Sequence, residues 1–350
     1  MPRSAPTSTN LAAVAEAANV SIMTVSRVMS NSPHVAAATR RLVQRAAKKI
    51  GYRPNPQVAR LMQIVRAAKQ QRTRAVIGVV RDDIPEDELH DSAYQYVSSQ
   101  DIRRRAEQHG YAIEEFFLGR NGLTPSRLNG ILRARGIEGL IISPQSSRHI
   151  GSALDFTPFA AATFGYGLPS PALHRASTNM TQGILQAVQR LHDRGYKRIG
   201  LAVTHWIDAR SDHTYSGAML HYQQQIPRGM RVPPLFFPDN LARGSDAFVA
   251  WVRKHRPDAL ISLDAYVPDW LTRRLKLSIP GDIALVVHDW SERMTGFAGI
   301  HHRRPHVAAA AVDLVATQLM HNEHGVPEVP RQILIPPVWI EGPSVRAAHD

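Results

Sequence analysis

Up to Ile50 the apolar residues recur at helical spacing in three short periods. Leu11, Val14, Ala15 and Ala18 step by three and four, which places them on one face of a helix. A second period over Ile22–Met29 puts Val25, Val28 and Met29 on one side, and a third over Thr39–Ile50 aligns Leu42, Val43, Ala46, Ala47 and Ile50. Only Asn19-Val20-Ser21 separates the first two. Asn tolerates the left-handed backbone of a tight helix–helix turn, and Ser21 is a good N-cap for the helix that follows. Two short helices on such a turn predict a helix-turn-helix. Pro33 breaks the chain after the second helix, and Thr39 is the expected cap of the third. After Gly51-Tyr52-Arg53-Pro54-Asn55-Pro56, a fourth helix is predicted over Gln57–Ala68, with Asn55 as cap and Pro56 at its first position.

From Ala75 onward the pattern changes. Short continuous apolar runs predict strands at Ala75–Val80, Ala112–Phe117, Gly139–Ile142, Ala160–Phe164, Ile199–Val203, Leu235–Phe237, Ala259–Leu263 and Ile283–Val287. Amphipathic stretches between them predict helices near Tyr94–His109, Pro125–Arg135, Thr181–Gly195, Tyr215–Gln225, Asp246–His255, Val267–Arg274 and Pro305–Met320. A βαβα rhythm means parallel sheets covered by helices. So long a stretch exceeds one comfortable hydrophobic core, so two lobes are expected.

Charge sharpens the division. The 350-residue chain carries a formal +13, yet residues 1–74 hold thirteen Lys/Arg against Glu16 alone, and so carry +12 of it. The remainder is almost neutral. A small basic module is thus joined to a neutral body. The absence of cysteine excludes a disulfide-stapled scaffold, a Cys-ligated zinc site and a thiol nucleophile. MPRSAPTS has no apolar segment of the secretory kind, no long apolar run suggests a membrane span, and a cytoplasmic protein is expected.

On the second helix the core claims Val25, Val28 and Met29, which leaves Ile22, Met23, Ser26 and Arg27 outward. Ile22 and Met23 stand at the N-terminal end, where a recognition helix meets base edges. Arg27 can bond a guanine in bidentate fashion or hold a phosphate, whereas Ile22 and Met23 can offer only apolar contact, such as to a thymine methyl.

The stretch Leu11–Asn55, with VAEAANVSIMTVSRVMS, HVAAATRRLV and GYRPN, resembles the headpiece of the LacI/GalR family of transcriptional regulators, ungapped along its length. The resemblance implies that Ile22 and Met23 take the positions of the variable base readers and that Ser26 and Arg27 match the pair after them. His34, Thr39 and Asn55 match phosphate or backbone contacts, and Leu11 and Ser21 are counted with the expected DNA-binding residues. The family's hinge helix wedges a leucine into the minor groove at a central CpG step, and Leu61 falls there, or Met62 in the adjacent register. Two departures are Asn19, where the family has Gly, and Pro56-Gln57.

Pieces of the body, HDRGYKRIGLAV, RPDALISLD and IPGDIALVVHD, resemble the family's periplasmic-binding-protein-like core. The implied architecture is an all-α helix-turn-helix headpiece over 1–54, a hinge helix and linker over 55–74, and an α/β two-lobed core with parallel sheets over 75–350. Lobe 1 would take about 75–175 and 303–328, and lobe 2 about 176–302 and 329–350. In the cleft, the resemblance implies that Asp289 holds ligand hydroxyls, with Asp264 on a neighbouring strand end. Asn179 follows Thr178, where the family has Asp-Asn. Thr214 precedes Gly217 by three, where the family commonly has arginine, and Trp290 replaces a second acid. A carboxylate beside an aromatic face suits a carbohydrate; lobe-interface packing accounts for Trp290 equally well.

No GxGxxG, Walker A, GxSxG or HExxH motif occurs, so no enzyme and no cofactor are expected. Of the histidines, His301-His302 with His306, and His321 with His324, lack metal-ligand spacing, so no metal is expected. The resulting expectation is a homodimeric regulator, a repressor by default, on a pseudo-palindromic double-stranded operator under control of a small-molecule, carbohydrate-like effector. Its rivals are a regulator whose cleft binds nothing, a cleft enzyme carrying a headpiece, and a non-specific architectural binder.

Overall fold

The computed structural model describes residues 11–29, 35–52, 75–82, 97–144, 153–238, 241–263 and 266–347. The headpiece holds α1 (Leu11–Ala18), α2 (Ile22–Met29) and α3 (Ala37–Lys49). Its core closes on Val14, Ala15 and Ala18, on Val25 and Val28, and on Val43, Ala46 and Ala47. Between α1 and α2 the chain turns through 107°. Asn19 makes the turn at φ 49°, and Ser21 Oγ accepts the Thr24 N–H at 3.1 Å to cap α2. Two expectations fail in α3. It starts two residues early, on the good helix formers Ala37 and Ala38, with Ala36 as an N-cap that offers no side-chain bond. Thr39 therefore lies inside the first turn and does not cap. Leu42 faces outward, 45% exposed, because Val43, Ala46 and Ala47 already fill the face packed on α1.

The body contains two six-stranded sheets. In the first, β1 (Val76–Asp82), β2 (Ala112–Leu118), β3 (Gly139–Ile142), β4 (Ala160–Phe164), β5 (His174–Thr178) and β11 (Gln332–Ile335) are ordered β11-β5-β4-β3-β1-β2, and every pairing is parallel. The second holds β6 (Ile199–Thr204), β7 (Leu235–Phe237), β8 (Ala259–Ser262), β9 (Ala284–Val287), β10 (Ala298–His301) and β12 (Val338–Ile340) in the order β12-β10-β9-β8-β6-β7, with only β12 antiparallel to its neighbour. The covering helices are α4 (Ser99–Gln108), α5 (Pro125–Ala134), α6 (Met180–His192), α7 (His205–Arg210), α8 (Thr214–Gln224), α9 (Leu241–His255), α10 (Val267–Asp269, continuing as a π-helical turn over Trp270–Arg274) and α11 (Arg304–His321). Central strands such as Gly139–Ile142 and Ala160–Phe164 are buried at every position, the mark of a parallel sheet covered on both faces.

The eight expected strands are present, and β5, β10, β11 and β12 add to them. They escape the apolar pattern because β5 reads His-Arg-Ala-Ser-Thr and the other three are only three or four residues long. The lobe boundaries move accordingly. Residues 176–178 and 332–335 belong to the first sheet, where the sequence placed them in lobe 2. The chain passes between the sheets after Thr178, after His301 and after Ile335. Among the described residues, no single helix is long and apolar enough to cross a membrane.

Candidate nucleic-acid interface and ligand cleft

On the headpiece, the first turn of α2 is Ile22 and Met23, 54% and 64% exposed. Arg27 is exposed one turn beyond Met23, and Ser26 is half-buried beside it. Ser21, Thr24, Arg27 and Thr39 line an open groove between the starts of α2 and α3. Along α3, Arg41, Arg45, Lys48 and Lys49 face solvent. This surface offers hydroxyls, guanidinium groups and uncapped helix N–H groups, all donors that phosphate accepts. Leu11 lies on the apolar face that its spacing predicts. It is half-buried against the three-helix core, so its side chain serves packing. His34, Asn55, Leu61 and Met62 lie outside the described residues, as does Asp264.

In the body, the passages between sheets are laced together. Thr178 Oγ1 donates to the His302 carbonyl at 2.9 Å, and the Asn179 N–H donates to the Ile335 carbonyl at 2.9 Å. Asn179 Oδ1 accepts the Gln182 N–H at 3.0 Å, which caps α6. Its carbonyl-type oxygen is thus spent on a helix.

Asp289, just past β9, pairs with Arg304 at the start of α11 and lies 3.3 Å from His302 Nδ1. His302 Nε2 in turn stands 3.3 Å from His288 Nδ1, and the Tyr215 and His288 rings form a T-shaped pair with centroids 5.1 Å apart. Burial pushes the Asp289 carboxyl upward, but the adjoining His302 and the Arg304 guanidinium outweigh it and hold the group below the ordinary carboxylate range. Burial pushes both histidines down, His288 well below its usual value, so each is neutral at pH 7. Gly183 on α6 is required here, because a Cβ would lie 2.6 Å from His288 Nε2.

Two expected ligand contacts are corrected. Thr214 Oγ1 donates to the Ser211 carbonyl at 2.8 Å. Around it, the buried Asp208 carboxylate accepts the Ser216 N–H at 3.0 Å and pairs with His213, so this corner is a helix cap built on a short α7 that the sequence pattern did not reveal. Trp290 donates its indole N–H to the Phe297 carbonyl at 3.0 Å, and a Cβ at Gly299 would come within 2.7 Å of its own Cβ. It is a packing residue between β9 and β10.

Sequence reasoning missed two arginines. Arg304 pairs with Asp289 and brings a guanidinium to it, which no motif in the sequence announced. Arg210 lies 4.2 Å over the Trp206 ring and reaches the other lobe. There a Cβ at Gly167 would collide with the Arg210 guanidinium and stand 2.5 Å from Pro144 Cα. Arg175, held by the Gly165 and Leu168 carbonyls, supports that loop from below.

These features agree with comparisons to known proteins. Residues 10–55 match the family described as bacterial regulatory proteins of the lacI family, and residues 188–345 match the periplasmic binding protein-like domain. The HTH-type transcriptional regulator PtxS of Pseudomonas plecoglossicida is 26% identical over 91% of this chain and 92% of its own. The lac repressor dimer bound to operator and the anti-inducer ONPF shares the fold, at 20% identity and a TM-score of 0.58 over 97% of this chain and 99% of that one. A CelR–cellobiose complex does so at 20% identity and a TM-score of 0.55, over 96% and 99%. The chain thus joins a headpiece of the lacI family of bacterial regulatory proteins to a two-lobed periplasmic-binding-protein-like core, the organisation of a DNA-binding transcriptional regulator.

Proposed function

We propose that the chain is a cytoplasmic homodimer that holds a pseudo-palindromic operator through α2 and releases or tightens it when a polyhydroxylated small molecule enters the cleft. Headpiece residues 1–54 and a hinge helix within 55–74, wedged at a central CpG by Leu61 or Met62, would form the DNA-binding part. Ser21, Ser26, Arg27, His34, Thr39 and Asn55 would carry the polar and backbone contacts. A neighbour of the same fold is described in complex with cellobiose, which supports a carbohydrate effector.

The observation that carries the sensing half is the Asp289–Arg304 pair at the passage from β10 to α11. A carboxylate accepts and a guanidinium donates, which matches a sugar hydroxyl that does both. The same passage is bonded to the other two through Thr178 and Asn179, so a ligand seated there acts on the joint between the lobes. An effector that prefers one lobe arrangement shifts the population toward it, by no more than its differential affinity. Thr214 and Trp290, both spent within the protein, favour a second reading, in which the cleft binds nothing and protein concentration sets the output. Thermal-shift measurement against sugars and nucleosides separates the two. Stabilisation by a sugar supports the sensor, and none by any compound supports the unliganded regulator.

A further inference from the structure

Ile22 and Met23 break the ordinary rule of burial. They are large, apolar and adjacent, yet 54% and 64% exposed, while Val25 and Val28 on the same helix are 0% and 4% exposed. The headpiece core closes without them. Such a pair on a small soluble module is a contact surface awaiting a partner. Its surroundings select that partner: exposed Arg27, Arg41, Arg45, Lys48 and Lys49 in a segment whose net charge is +12 call for a polyanion, and a helix of this size fits the major groove of a duplex.

The chemistry of the groove then narrows the choice. Guanine presents N7 and O6 as acceptors, cytosine its N4 amino group, and adenine both kinds; thymine alone adds a methyl. Ile22 has no polar side-chain atom, and the Met23 thioether is only a weak acceptor. Either side chain set against a purine edge or a cytosine amino group would strip it of water and return no hydrogen bond. Against a thymine methyl it buries hydrocarbon on hydrocarbon. Arg27, four residues after Met23 and so on the same helix face, is placed to donate to the neighbouring pair.

We infer that Ile22 and Met23 read thymine methyls, so that each operator half-site carries two A·T pairs, thymine toward the protein, opposite the first turn of α2. This rests on the operator-binding reading above. The test is selection of duplex DNA from a random pool by the full chain. It is followed by binding to the selected site with deoxyuridine in place of each thymine, a change that removes the methyl and nothing else. Two thymines per half-site should lose about fourfold in affinity each, the worth of one buried methyl. The loss should vanish in Ile22→Ala or Met23→Ala, each at its own thymine. A cytosine·guanine pair placed there should regain binding when the cytosine is 5-methylated. Selected sites with G·C at those positions, or affinities indifferent to deoxyuridine throughout the half-site, overturn the methyl reading alone. No enrichment of any sequence overturns it together with the operator reading. The deoxyuridine arm leaves the protein untouched, so a poorly folded variant cannot imitate the result.

Discussion

The headpiece and the proposed ligand cleft are built in opposite ways. In the headpiece every described contact is local: α1, α2 and α3 close one core within about forty residues, and the reading face is what that core leaves outside. In the cleft, Asp289, Arg304, Thr178 and Asn179 come from segments far apart in the chain, joined only where three passages between sheets meet. A local face can change its outward residues without disturbing its core. A joint built from distant segments ties its residues to the lobe arrangement and to stability, so they cannot change alone.

The largest test of this contrast is Val25→Asp. Val25 is wholly buried, and an unpaired carboxylate there should cost about 3 kcal/mol or more and unfold the headpiece. Operator binding should vanish while the main calorimetric transition of the body stays in place; a body destabilised to the same degree would mean that the two regions fold as one. Next comes Asp289→Ala. It leaves Arg304 and the buried His302 without their acid, so body stability should fall by about 1–3 kcal/mol and ligand stabilisation should disappear, with operator affinity retained. A variant that melts and responds as the parent does would remove Asp289 from the site.

Gly167→Ala asks whether the lobes touch through the seat of Arg210. A methyl there meets Pro144 and the guanidinium, and overpacking of about 1–3 kcal/mol should favour the open arrangement. Because the chain has no cysteine, spin labels on two introduced cysteines report the lobe separation without background. An unchanged distance distribution would discard the contact as a closure point.

Acid should act on the cleft. His288 and His302 have native pKa values below the unfolded value of about 6.5, so the unfolded chain takes up protons that the native body refuses. Stability of the body should therefore decline as pH falls through about 6.5. Asp289, whose native pKa is also depressed, adds a further decline below about 4. His288→Phe should flatten the first of these in calorimetry; an equally steep profile would assign it elsewhere. The smallest effect is expected of Ser21→Ala, which deletes the α2 cap and should cost the headpiece about 1 kcal/mol, seen as weaker operator binding with an unaltered preferred sequence.

How much could be read without coordinates follows the same line. The bounds of α1 and α2, the Asn19 turn and the Ser21 cap were all legible, because each depends on neighbours within four residues. The start of α3 was less legible: Thr39 is a capping residue type, but the helix propensity of Ala37 and Ala38 carries the helix two residues upstream of it. In the body, buried strands declared themselves as apolar runs. β5 did not, since its Ser177 and Thr178 are buried by neighbouring strands and not by their own hydrophobicity. The sequence allows Trp290 either a ligand or a packing role, and the Phe297 carbonyl on its indole N–H decides for packing.

The sequence by itself determined the division of charge, the helix-turn-helix, the alternation of strand and helix, and the two apolar side chains left at the tip of α2. These are properties of composition and short-range period, and the chain carries them before it folds. Only the tertiary structure decided that the arginine partner of Asp289 is Arg304, that Thr214 belongs to a cap, and that Arg210 spans the lobes to Gly167. Those facts depend on which distant segments meet at the passages between sheets. Contacts at such separations follow from the packing of whole sheets and helices, and no local pattern of residues encodes them.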